Sequence, residues 1–141
     1  LAVCDAGAVW KPLPPLAQRR SHAAGAVVAG ALHICGGFDG HRYLRSAECL
    51  DAGGDAWKAL PPMAEARRGA AAVSLAGTLY VCGGRNRQGA LRSCEAFHVA
   101  SRAWGPVPPM LSARSQMAAA ALWCPRAPTN SADDCEQCAL A

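Results

Sequence analysis

The chain has 141 residues, enough for one modest domain with a core of its own. Its formal net charge of +4 is an arginine excess, with Lys11 and Lys58 the only lysines, and so mild a balance does not by itself indicate nucleic acid. No window offers the roughly 18–20 uncharged apolar residues of a membrane span, and no charged stretch leads into an apolar run and a cleavage site, so no membrane segment or secretory leader is expected.

In chain order, residues 1–16 ("LAVCDAGAVWKPLPPL") read as the outer strands of a sheet, and residues 17–63 as a complete unit whose plan is clearest in its successor, 64–110. There "GAAAVSL" (69–75) is small and apolar, and Ala76-Gly77 marks a tight hairpin turn. "TLYVCGG" (78–84) is apolar and stops at two glycines, which suggests positive φ or an approach so close that a Cβ is forbidden. "SCEAFHV" (93–99) alternates, and "AWGPVP" (103–108) ends at prolines, as suits a sheet edge. Residues 111–123 begin like the first strand of a further unit. The tail, 124–141, is polar and aperiodic and is expected to be disordered.

The two units are copies in one register. Trp10, Trp57 and Trp104 lie 47 apart, as do Arg20, Arg67 and Arg114 and the pairs Pro14-Pro15, Pro61-Pro62 and Pro108-Pro109. Gly36-Gly37 returns as Gly83-Gly84, Leu44-Arg45-Ser46 as Leu91-Arg92-Ser93, and Glu48 as Glu95. A four-stranded antiparallel meander repeated at this interval is a propeller blade. Trp at the start of each fourth strand is expected to pack between blades, and the repeated arginines to satisfy backbone carbonyls or a blade-internal acid, Glu48 or Glu95.

The succession of arginine, small apolar strand, "LYVCGG", variable loop, "LRSCEAF", Trp and "PVPPM" resembles kelch repeats. The likeness covers 17–110 as two full units and fails after Leu122, where Asn130-Ser131 stands in place of the glycine pair. The fold class expected is all-β: a partial kelch β-propeller, an open arc of two full and two partial four-stranded antiparallel blades. Because the chain opens on Leu1 and kelch rings usually have about six blades, it is expected to be part of a larger ring. The resemblance also implies a protein-interaction module without catalysis, like BTB-kelch adaptors that recruit a substrate to a cullin-type ubiquitin ligase. The BTB and BACK regions that bind cullin are absent from these residues. Actin association is a second role in the family, and a kelch-fold enzyme with its metal-binding blades elsewhere is the rival.

Alternating strands send successive connections to opposite rims. One rim collects the loops 38–45 and 85–92 and the interblade connectors, and with them ten of the twelve arginines, against Asp39 and Glu65 as its acids. The residues there that break the repeat are candidates for partner contact: His41, Arg42, Tyr43, Arg85, Asn86 and Arg87, with Arg19 and Arg68 alongside. Arginine forks match carboxylate or phosphate, so the expected partner is an acidic or phosphorylated peptide. No nucleic acid is expected, since aromatics do not interleave with the basic loops.

No catalytic or cofactor constellation assembles: His22, His33, His41 and His98 are scattered, and no serine sits in a nucleophile elbow. Cys135-x-x-Cys138 lacks a second pair of ligands, so no metal is expected. Of eight cysteines, Cys35 and Cys82 fall in apolar strands as small core residues, consistent with a reducing, cytoplasmic setting.

Overall fold

The computed structural model describes residues 2–4 and 10–121, with side chains from Trp10 onward. Its secondary-structure elements are all strands, and the described residues contain no helix. Ala2–Cys4 (β1) and Trp10–Pro12 (β2) pair antiparallel. Ala24–Val28 (β3), Ala31–Cys35 (β4), Ala47–Leu50 (β5) and Lys58–Leu60 (β6) form the first four-stranded sheet, each strand beside its sequence neighbour. Ala71–Leu75 (β7) and Thr78–Cys82 (β8) begin the second, and Cys94–His98 (β11) and Ala103–Val107 (β12) complete it. Between its halves, Arg85–Asn86 (β9) and Gly89–Ala90 (β10) make a small hairpin of their own. These are antiparallel blades in an open, unclosed arc.

The hairpin turns come where the small residues stand. Ala29-Gly30 has φ of 49° and 78°, and Ala76-Gly77 of 48° and 73°, two successive positive angles that twist as the flanking strands do. β3 packs against β7 at the inner edge of the arc. Between the sheets, Val28, Cys35, Leu60 and Met63 meet Leu79, Val81 and Phe97 in one core. Burying a side chain of this size stabilises by about 1.5–3 kcal/mol, so neither sheet can leave this face open without a large cost.

The glycine pair explains how the blades are joined. Gly36 and Gly37 have φ of 65° and 103°, and Gly83 and Gly84 of 60° and 91°. A Cβ on Gly36 would stand 2.3 Å from the Arg67 carbonyl oxygen, and one on Gly83 2.6 Å from that of Arg114. The second glycine holds the same carbonyl, Gly37 N–H donating to Arg67 O at 2.8 Å and Gly84 N–H to Arg114 O at 2.8 Å. Gly83 still gives its N–H to Ser93 O at 3.0 Å, and Gly84 turns away from the ladder to the connector, so β8 ends at Cys82, two residues short of the run read from sequence.

The arginine so held by one blade inserts its side chain into the next. Arg67 is buried, and its Nη1 donates to the carbonyls of Gly83 (2.7 Å) and Ser93 (2.9 Å), while Nη2 reaches Ser93 Oγ (3.2 Å) and Glu95 Oε1 (2.8 Å). Arg20 repeats the arrangement in the first blade with Gly36 O (2.7 Å), Ser46 O (3.1 Å), Ser46 Oγ (3.1 Å) and Glu48 Oε1 (2.6 Å). The tryptophans add a second tie: Trp57 Nε1 donates to Pro14 O at 2.9 Å and Trp104 Nε1 to Pro61 O at 2.7 Å, each 43 residues back.

The outermost copies of these motifs behave differently. Trp10 is 70% exposed. Arg114 is exposed, and its Nε donates to Ser112 Oγ at 3.1 Å. Residues 111–121 form no named strand, and Arg114 makes an isolated bridge to Leu91. The tail assigned to 124–141 lies outside the described residues.

Removing the guanidinium of Arg67 leaves Glu95 buried and two carbonyls open. Arg67→Ala is expected to lower stability by about 3–5 kcal/mol, whereas Arg114→Ala changes it by no more than about 0.5 kcal/mol. Urea denaturation of the full chain measures both, and equal losses would contradict this role for the buried guanidinium.

Candidate functional site

Backbone bonding brings the variable loops and connectors to one rim. Ser21 pairs with Phe38, and Phe38 with Tyr43. Arg68 and Arg85 exchange hydrogen bonds at 3.0 and 2.9 Å, and Gly69 N–H donates to His22 O at 2.8 Å. His22 and Gly69 share a positive φ (52° and 61°), as does Gln116 (57°), so every connector turns in the same way, 47 residues after the last.

Two hollows open on this rim, on either side of the first blade's loop. One is a groove between the blades, lined by Arg42 and Tyr43 from the first loop, Ala66 from the connector, and Asn86, Arg87 and Gln88 from the second loop. The other lies along the first loop and is lined by Asp39, His41, Arg42, Tyr43 and Arg45 among others. Arg42 and Tyr43 belong to both. Arg19 and Arg85 are exposed but line neither hollow.

Arg68 acts differently. Its guanidinium lies 5.4 Å from the centre of the Phe38 ring and 5.5 Å from that of Tyr43, over two rings that pack tilted with centroids 5.4 Å apart. Such a contact contributes about 0.5–1 kcal/mol at a part-exposed site. Arg68 therefore positions the Tyr43 ring at the groove rather than pointing a free fork into it. The aromatic partners were not legible as such, because Phe38 and Tyr43 have Arg85 and Ala90 as their counterparts in the second repeat.

Asn86 also has a role of its own. Its Oδ1 accepts the N–H of Gln88 at 2.8 Å. Forty-seven residues earlier, Asp39 Oδ1 accepts the N–H groups of His41 (2.8 Å) and Arg42 (2.7 Å). The two are equivalent side-chain-capped turns, so Asn86, read from sequence as breaking the repeat, holds its own loop in shape. The spacing of Asp39 and Asn86 was the signal that would have found this.

The acids of the rim are engaged internally. The N–H groups of Arg42 and His41 hold the Asp39 carboxyl below the usual carboxylate range. Glu65 accepts from Arg67 Nη2 at 3.2 Å and from the Ser93 hydroxyl. Arg42 and Arg87 make no ion pair among the described residues, so the groove presents two exposed guanidinium groups beside a half-buried phenol ring. The opposite rim is mixed, with Lys58 paired to Asp51 and Arg102 nearby. The described residues hold no group of three or more His, Cys, Asp or Glu side chains suited to a metal ion. Cys135 and Cys138 lie outside them.

Comparison with known families finds the Kelch motif twice in this chain, over residues 19–64 and 66–111. No curated protein matches it.

Asp39→Ala is expected to speed hydrogen exchange at the His41 and Arg42 amides about fivefold, the factor one hydrogen bond of ~1 kcal/mol represents, while Asp39→Asn keeps the turn. Because the folded carboxyl is held below its ordinary value, protection persists at neutral and mildly acid pH and is lost only as the pH falls through that depressed value. Unchanged exchange in the alanine variant would show that the turn does not depend on this side chain.

Proposed function

This chain belongs to the kelch-repeat family, and on that premise we propose that it binds a partner protein through the groove between its two blades, taking an acidic or phosphorylated segment. Kelch repeats form propeller modules for protein–protein interaction. The observation that carries the finer reading is the lining of the groove: Arg42 and Arg87 come from neighbouring blades and make no ion pair among the described residues, while Asp39 and Glu65 are taken up within the rim. A carboxylate or phosphate between them would receive two guanidinium forks, with the Tyr43 ring as an apolar wall. Delivery of the bound protein to a cullin-type ubiquitin ligase is the further role that likeness to BTB-kelch adaptors suggests, and the basic groove supports its recruiting half.

The test uses three fluorescent peptides on the full chain: one with a run of Glu and Asp, its phosphoserine counterpart, and a neutral scramble. The acidic or phosphorylated peptide is expected to bind and the scramble not. Arg42→Ala combined with Arg87→Ala weakens that binding about 10- to 100-fold, as loss of a charged hydrogen bond of ~1.5–3 kcal/mol predicts. Equal binding of all three peptides, or full affinity in a correctly folded double variant, would overturn the reading.

A further inference from the structure

Cys82 and Cys94 stand directly opposite each other on the two central strands of the second blade, β8 and β11. The next hydrogen bond along the ladder runs from Gly83 N–H to Ser93 O, at 3.0 Å. That bond makes the cysteines a non-hydrogen-bonded pair, the position where facing Cα atoms come within about 4.5 Å and side chains lie closest. A disulfide spans Cα separations of roughly 4.4–6.8 Å, so the ladder itself sets the geometry for one.

The first blade is the internal control. Cys35 occupies the place of Cys82, but the residue facing it is Ala47. Burial pushes the Cys35 thiol up to about 12, and no second thiol faces it across the ladder. In the second blade the facing sulfurs act on each other, so that Cys94 is lowered and Cys82 raised, and the Cys94 thiol donates to Arg92 O at 3.8 Å. Both are free thiols in this structure, buried at 1% and 3% exposure.

We propose that Cys82 and Cys94 are a redox modification site that forms a reversible intrachain disulfide across β8 and β11. With a hydroperoxide as oxidant, the Cys94 sulfur attacks the terminal peroxide oxygen and the O–O bond breaks. The alcohol leaves with the thiol proton, and Cys94 becomes a sulfenic acid. Cys82 then attacks that sulfur, the S–O bond breaks, and hydroxide leaves as water with the Cys82 proton. The thiols give up two hydrogens and the peroxide accepts two electrons. The bond closes the two stems of the loop that carries Arg85, Asn86 and Arg87, beside the Gly83 and Ser93 carbonyls that Arg67 clamps. It does not rest on the peptide-binding reading.

The experiment oxidises the full chain with hydrogen peroxide, blocks remaining thiols under denaturing conditions and maps tryptic peptides. Cleavage after Arg85, Arg87 and Arg92 places the two cysteines on separate peptides, 69–85 and 93–102. In most chains these peptides are expected to be joined, and to separate on reduction, with Cys35 and Cys49 still alkylated. Cys94→Ala, which copies the Cys35–Ala47 pairing of the first blade, folds normally and leaves Cys82 alkylated. Full alkylation of Cys82 and Cys94 at peroxide levels that oxidise Cys135 and Cys138, or linkage of either to another cysteine, would overturn the proposal.

Discussion

One arginine belongs to two blades at once, and the arc depends on it. The backbone of Arg67 is part of the first blade, held by Gly37 and Leu44, while its side chain fills the second, where it meets two carbonyls, a hydroxyl and a carboxylate. Only a planar fork with several donors can address that set together, and a lysine would leave most of it open. Its charge is balanced by Glu95, which also accepts the Ala64 N–H at 2.7 Å, just as Glu48 accepts from Ala17 at 2.9 Å beside Arg20. The close approach needed to seat the connector is what demands a glycine pair. Arginine, glycines and glutamate are therefore a single device, and each is meaningless without the others.

That device also decides which charges face the solvent. Arg20, Arg67, Glu48 and Glu95 are buried in the blades, and Asp39 and Glu65 are used to shape and seat the rim. What remains exposed on the loop rim is cationic, although the chain as a whole carries only +4. The asymmetry arises because the scaffold uses its acids internally more completely than its bases. Arg45 and Arg92 show how little repetition says about what a side chain does. Both are exposed, and it is their carbonyls, accepting from Met63 and Met110, that serve the scaffold.

The two blades differ where the common scaffold makes no demand. Phe38 and Tyr43 stand where the second blade has Arg85 and Ala90, and the strand pairing at that place is kept. Their rings give Arg68 a face to lie on, and so couple the first loop to the connector. Cys94 stands where the first blade has Ala47, in an identical ladder position. A repeat of backbone geometry thus carries two different sets of side chains, and chemical novelty is confined to positions that neither the arginine plug nor the glycine pair occupies.

The sequence by itself determined the four strands of each full blade, their order and the rim on which the loops gather, but not the β9–β10 hairpin within the second loop. Each recurring residue answers a backbone demand: positive φ at Gly83 and Gly84, a missing ladder partner at the prolines, a long-range donor at Trp57 and Trp104. Such demands repeat whenever the backbone repeats, so spacing alone exposes them. Only the tertiary structure decided what the remaining side chains do. Arg42 and Arg87 share a groove because the connector turns the second blade against the first. Asn86 serves its own loop, Arg68 lies on rings from another blade, and Arg114 is exposed where Arg20 and Arg67 are clamped inside a blade. These outcomes depend on neighbours distant in the chain, and a residue type at a given spacing does not specify which neighbour it will meet.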